Sequence, residues 1–458
     1  MDFPPDFRTR TRQWLDDYPL LEKALEEEAP VSIRLHPAKQ TAPLPLPYEP
    51  VKWCATGYYL PERPAFTFDP LLHAGVYYVQ EAASMFPEQA VRQYLTSAVT
   101  CLDICAAPGG KSTHLLSLLP ERSLLVSNEV IRSRCAVLAE NVLKWGSPYV
   151  FVTNNTPADI GRLTHLFDVM IADLPCSGEG MFRKDAGSRK AWSVAGVQYC
   201  ATRQRRIIHD VWPALKPGGL LVYSTCTFNR EENEENIRSL VENLHAEVLP
   251  LSVGDDWRIS GAWDNSYPAY RFFPHKTKGE GFFLAVLRKP EGERKVLAGR
   301  AKNKLPANLP DSRMKAWLSA PENYRLDTTG TLIQAIPNEY AEMYQLLSGQ
   351  LRMVTAGIPV ADRKGKDLLP MPALALSTAF RRDAFPSVAL SWEEAVGYLQ
   401  RETLVLPEDT PKGFVTVTYR KRPLGFVKNI GNRANNLYPQ EWRIRSRYLP
   451  DKAPDVVF

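Results

Sequence analysis

The chain has 458 residues, 44% hydrophobic and 23% charged, which describes a folded globular protein of about two to four domains, not a disordered one. No apolar stretch reaches membrane-spanning length, and the start, MDFPPDFRTRTRQWLDDYP, lacks the apolar core of a secretory signal, so a cytoplasmic protein is expected. Net charge is only +5, but residues 357–458 carry 16 Lys and Arg against 11 acids, which leaves the rest neutral.

In chain order, residues 1–70 read as an N-terminal extension: a helical start, the strand-like VSIRLHP, then the proline-rich QTAPLPLPYEP. From 71 to 290 strands and helices alternate. Strands are expected at VTCLDI, SLLVSN, YVFVT, FDVMIAD, GLLVYST and GFFLAVLRK, and helices at 111–119, 131–144, 200–214 and 231–243. Apolar strands with intervening helices predict an α/β fold, a doubly wound and mainly parallel sheet. Residues 291–310 read as a charged linker, 311–356 as a small mixed unit and 357–458 as a basic, strand-rich unit. From 411 onward the charge tally is 10 cations to 3 acids, interleaved with aromatic residues, an electrostatic footprint suited to a phosphate backbone.

The seven cysteines (54, 101, 105, 135, 176, 200 and 226) form no C-x-x-C pair, which argues against a disulfide framework and against structural zinc. No metal is expected. Cys54, Cys101, Cys135 and Cys200 read as small buried apolar residues.

VTCLDICAAPGGKSTHLLSLLP is a strand, a Gly-Pro loop and a helix, the arrangement that binds ligands at the carboxyl edge of a parallel sheet. Gly110-Lys111-Ser112 imitates the end of a P-loop, yet the Gly needed five residues earlier is Cys105, and Pro108 removes a backbone donor. An adenosyl cofactor fits better, because Glu129 ends the second strand, 26 residues after Asp103, where an acid accepts ribose hydroxyls.

The fourth and fifth strands end in ADLPCSGEG and STCTF. Neighbouring strands deliver their ends to one edge, so Cys176 and Cys226 are expected to face one cavity beside the cofactor. A thiolate is a strong nucleophile. Its addition to carbon 6 of a pyrimidine turns carbon 5 into an enamine carbon able to attack a methyl sulfonium.

DICAAPGGKS, DLPCSGEGMFRKD and LKPGGLLVYSTCTFNREENE resemble the signature segments of the NOL1/NOP2/Sun RNA cytosine-5 methyltransferases. HAGVYYVQEAASMFP, residues 73–87, resembles that family's lead-in, and HKTKGEGFFLAVLRK its close, so the likeness spans roughly 71–290. It implies a Rossmann-like S-adenosylmethionine-dependent domain in which Cys226 is the nucleophile, Cys176 assists product release and Asp173 contacts the cytosine near the cofactor. It also implies cofactor contacts from Cys105, Ala106, Ala107, Pro108, Gly109, Gly110 and Lys111, with Glu129 on the ribose. Where the family has an Asp after the third strand, VTNNTPADI offers Asn155, with Asn154 and Asp159 as competitors. Lys184 is either a phosphate contact or a surface lysine.

The acids of NREENEENI read as a helix N-terminus behind an Asn cap, and Arg203, Arg205 and Arg206 as a helix face. His209 and His275 are assigned no catalysis. The domain order resembles the bacterial 16S ribosomal RNA methyltransferases of the RsmF type, whose last module is PUA-like. That implies a cytosine in the decoding region of 16S ribosomal RNA, probed by a monomer, with transfer RNA or a non-catalytic assembly role as alternatives.

Overall fold

A computed structural model describes residues 2–40, 44, 47–263, 267–293, 312–446 and 448–457. Five parallel strands form its centre: Thr100–Asp103, Leu124–Asn128, Val150–Thr153, Phe167–Asp173 and Leu215–Thr225. Their lateral order is third, second, first, fourth, fifth, followed by the antiparallel Phe282–Arg288 and Glu247–Leu249. The strands are apolar on both faces because helices cover both. Leu102, Val126, Met170 and Leu221 enter one core layer, while Leu125, Val152, Val169 and Val222 enter the other. The order reverses at the first strand, so a crevice opens at the carboxyl ends of the first, second and fourth.

The four helices expected in this region are Gly110–Leu118, Arg132–Trp145, Val194–Val211 and Glu234–Leu244. The third starts six residues before its expected position because Ser193 caps it, its side chain accepting from Gly196 N. The fifth strand starts at Leu215, ahead of the expected GLLVYST. LKPGG reads locally as a turn, yet Gly218 N bonds to Lys289 O and keeps the segment in the sheet.

Other differences come from pairings distant in sequence. Met353–Ala356, assigned by sequence to the middle unit, adds to the free edge of Val150–Thr153, where unpaired strand groups would otherwise meet solvent. The division expected between 356 and 357 falls inside one sheet, since Leu332–Pro337 pairs with Ile358–Lys364. The division at 70 likewise falls inside the N-terminal four-stranded sheet, which includes Tyr77–Val79. The expected linker 291–310 lies, from 294 onward, outside the described residues.

The basic end of the chain forms a four-stranded sheet from Ser387–Ala389, Gly413–Tyr419, Arg422–Asn429 and Ala434–Asn436, with helix Trp392–Leu399. It shares a core with the N-terminal sheet: Ile33, Leu35, Tyr58 and Tyr77 pack in one cluster with Leu399, Val415, Leu424 and Tyr438. Helices Pro5–Arg12 and Tyr18–Ala24 dock on the catalytic side, burying Phe7, Tyr18 and Leu21 against Phe182, Trp192 and Phe228. Among the described residues, no helix is long and apolar enough to cross a membrane.

Candidate active site

The loop after the first strand lines a cleft of about 210 Å³ with Cys105, Ala106, Ala107, Pro108, Gly110 and Lys111. Gly109 makes the turn into the helix at φ +112°, in the left-handed region that favours glycine. Asp103 ends the strand beneath the loop. Its Oδ2 accepts from Ser112 Oγ at 2.7 Å, while Oδ1 is buried with no donor among the described residues. Burial pushes its carboxyl up to about 7, against the pull of the Ser112 hydroxyl.

Glu129 stands just past the second strand and is 2% exposed. Its Oε1 accepts from Ile131 N at 2.9 Å. Oε2 has no hydrogen-bond donor among the described residues and lies 3.5 Å from the Arg134 guanidinium. One buried acceptor oxygen is therefore without a hydrogen bond at the end of the second strand, although Glu129 does not line the cleft.

Asn155 is put to a different use from the cofactor contact the sequence suggests. Its Oδ1 accepts from Arg352 N at 2.9 Å and its Nδ2 donates to Arg352 O at 3.2 Å, which pins the added edge strand. It does not line the cleft. Asn154 holds Glu129 O and Val130 O, and Asp159 closes a capping box with Thr156. Of the three side chains, only that of Asn155 depends on a segment almost 200 residues away, which nothing in VTNNTPADI announces.

Arg34 carries no sequence motif, yet it ties the N-terminal sheet to the helix that follows the Gly-Pro loop. Its Nε donates to Gln80 Oε1 at 2.9 Å and its Nη2 to Thr113 Oγ1 at 2.7 Å, with Trp145 under the guanidinium at 4.5 Å. A cation inside the apolar strand VSIRL is the signal that could have found it. Gln80, within the segment 73–87, lines the cleft.

The fourth and fifth strands run parallel with Asp173 opposite Ser224. Three residues beyond Asp173 and two beyond Ser224 come the thiols, and their Sγ atoms lie 3.0 Å apart. The Cys176 thiol is pushed well up by its hydrogen bond with Cys226 and by burial. Asp173 joins the cleft to the thiols: Oδ2 accepts from Lys111 Nζ at 2.8 Å and Oδ1 from Ser224 Oγ at 2.9 Å. Burial opposes the Lys111 charge, but Asp173 and Asp103 outweigh it and raise its pKa.

Lys184 lies 3.7 Å from Glu280, which also takes Arg183. Arg203 and Arg206 are exposed on their helix, and Arg205 donates to Asn236. Of the acids of NREENEENI, Glu234 and Glu235 stand in the first turn of the helix Glu234–Leu244, where the sequence puts acids. Glu232 is 0% and Glu234 1% exposed, and Asn233 makes no side-chain cap bond. Glu234 pairs with buried Arg271, while Glu232 turns toward the Cys176 loop.

Cys54, Cys101 and Cys135 are buried and Cys200 is half-buried. Cys54, Glu88 and His114 place three donor atoms within 4.8 Å of one another, a grouping with no sequence pattern. Hydrogen bonds account for it: His114 Nε2 meets Glu88 Oε2 at 2.9 Å, and Arg92 takes Oε1 at 2.6 Å.

Three family models match the chain. The N-terminal domain of 16S rRNA methyltransferase RsmF covers residues 3–82, 16S rRNA methyltransferase RsmB/F covers 95–288, and the methyltransferase RsmF PUA domain covers 385–444. Ribosomal RNA small subunit methyltransferase F of Erwinia tasmaniensis is 30% identical over 96% of both chains. Its counterpart in Enterobacter sp. strain 638 is 34% identical over 86% of this chain and 83% of its own. Two solved structures from Pyrococcus horikoshii share the fold. A methyltransferase homolog protein is 25% identical with a TM-score of 0.52, covering 62% of this chain and 99% of that one. NSun6, solved with SFG, is 19% identical with a TM-score of 0.53, covering 63% and 99%.

Proposed function

This chain belongs to the family of ribosomal RNA small subunit methyltransferase F, and from that premise we propose that it methylates carbon 5 of a cytosine in the decoding region of 16S ribosomal RNA through a covalent bond from Cys226 to carbon 6. One observation carries the covalent step: two sulfurs 3.0 Å apart at the exits of adjacent parallel strands, with Asp173 between them and the cleft.

The residues at the cleft fit S-adenosylmethionine. Cys105 to Pro108, Gly110 and Lys111 line the cleft, and Glu129 at the end of the second strand keeps a buried carboxylate oxygen with no hydrogen-bond donor among the described residues. When bound, this cofactor supplies an electrophilic methyl group. The chain does the rest. Cys226 adds as a thiolate to carbon 6, forming the S–C6 bond and moving the C5=C6 electrons into an enamine that is nucleophilic at carbon 5. Asp173, held by Lys111 and Ser224, contacts the pyrimidine edge and orients it. After carbon 5 has taken the methyl group, its proton leaves to a base, the double bond re-forms and the S–C6 bond breaks. Cys176, held protonated beside the departing sulfur, donates to it as it leaves.

A cytosine inside a helix must leave the stack first, at a cost of a few kcal/mol. Backbone contacts from the basic C-terminal sheet offset that cost. We take the protein to act in the cytoplasm, as a monomer, on RNA of the small ribosomal subunit. Incubation with tritium-labelled donor and separated 16S and transfer RNA should place label at carbon 5 of a 16S cytosine. Label confined to transfer RNA would overturn the substrate.

The shared core with the N-terminal sheet makes removal of 357–458 a poor test of RNA binding, since it would strip Tyr58 and Tyr77 of cover. Charge substitution is cleaner. Lys412, Lys428 and Arg433 are exposed and grouped by register at one end of the hairpin. Changing all three to Gln should weaken RNA binding and reduce the slope of log affinity against log salt by about 2. An unchanged slope would show that RNA lies elsewhere.

A further inference from the structure

Glu232, after Cys226, and Glu179, after Cys176, are buried, and their partners cross between the two thiol loops. We infer that Glu179 and Glu232 form a reciprocal clasp that sets the spacing of the two sulfurs, each carboxylate sitting on one thiol's loop and holding the main chain of the other's. Both are positioning residues, and the inference rests on the reading of Cys176 and Cys226 given above.

Glu179, three residues past Cys176, is 2% exposed. Its Oε2 accepts from Thr227 Oγ1 at 2.8 Å, Phe228 N at 2.8 Å and Asn229 N at 2.9 Å, which are the residues directly after Cys226. Its Oε1 accepts from Trp192 Nε1 at 3.0 Å and Asn229 Nδ2 at 3.2 Å. Glu232, six residues past Cys226, reaches the opposite way. It accepts from Ser177 N at 3.0 Å, beside Cys176, and from Gln204 Nε2 at 2.7 Å and Asn229 Nδ2 at 2.8 Å. Asn229 thus bonds both carboxylates. The loops also touch directly, through Gly180 N to Cys226 O at 2.9 Å and Ser177 Oγ with Thr227 Oγ1 at 2.9 Å. A Cβ on Gly180 would stand 2.8 Å from Cys226 O, so the approach admits only glycine there.

Both oxygens of each acid take donors. A Gln in either place must therefore turn an NH₂ toward an N–H, leaving buried donors unpaired. Burying two like charges is costly and is tolerated where backbone donors converge on them. Here the backbone they fix is that of the two sulfurs. A displacement of about 1 Å at a reacting centre can cost about 10²-fold in rate.

The test uses the full chain with Glu179→Gln, Glu232→Gln and the milder Glu232→Asp, which keeps the charge but shortens the reach. Diamide oxidises the thiol pair: Cys176 and Cys226 lose two electrons and two protons, an S–S bond forms, and the azo bond is reduced to a hydrazine. Peptide mass mapping follows the 176–226 bridge, and circular dichroism checks the fold. Removing a negative charge makes thiolate easier to form, so on charge alone the Gln variants would bridge faster. The clasp predicts the opposite: bridging at least about tenfold slower in folded Gln variants, kcat down about 10²-fold with KM for RNA little changed, and Glu232→Asp in between. Bridging at the wild-type rate or faster in both folded Gln variants overturns the clasp, whatever happens to kcat. Should the Gln variants not fold, Glu232→Asp decides alone by the same bridging rate. Slower bridging in the variants of a protein that never methylates RNA would retain the clasp and discard the proposed function.

Discussion

Cys226→Ala is expected to lower methyl transfer by about 10⁴-fold or more while leaving RNA affinity within a factor of about two. Carbon 5 of cytosine is too weak a nucleophile to take a methyl group unaided, so loss of the sulfur removes the activated ring and not merely a contact. Affinity should survive because RNA is held largely through phosphate contacts spread over the surface, and because the sulfur itself bonds only to Cys176 among the described residues. Tritium incorporation and filter binding on one preparation separate the two. Transfer within tenfold of wild type would remove Cys226 from the nucleophile's role.

Cys176→Ala should fail at the opposite end of the reaction. In the proposed mechanism addition at carbon 6 and methylation at carbon 5 use Cys226, so they should proceed. Release then lacks the thiol that stands 3.0 Å from the departing sulfur and is pushed up by its hydrogen bond with Cys226 and by burial. A covalent protein–RNA band, surviving denaturing electrophoresis and formed only with methyl donor present, is the expected result. Free methylated RNA with no such band would exchange the assignments of the two thiols.

The strands of the catalytic sheet were readable because their signal is local. Six apolar runs bounded by turn residues fit buried strands, and the alternation of the first five with helices fits a parallel sheet, while the sixth, Phe282–Arg288, runs antiparallel. The same locality makes the ends of FDVMIAD and GLLVYST visible as places where cysteines leave the core. The Gly-Pro loop was readable for a similar reason: Gly109 at φ +112° and the helix that starts at Gly110 are consequences of neighbours in sequence.

Other residues depend on chain that is far away. Asn155 is decided by Arg352, and the edge strand Met353–Ala356 by the unpaired groups of Val150–Thr153. Arg34 is decided by Gln80 and Thr113. NREENEENI is the sharpest case. A run of acids after an Asn has the local signature of a solvated helix start, and only a main chain folded over it converts Glu232 into a buried acceptor.

By itself, then, the order of residues determined the class of fold, the Gly-Pro loop and the places of the two thiols at strand ends, since hydrophobic periodicity and turn chemistry act between near neighbours. Tertiary structure alone decided which polar groups are buried, how the first and last sheets share a core, and the distance between the sulfurs. Burying a polar group is tolerable only when its partner arrives, and that partner comes from another part of the chain.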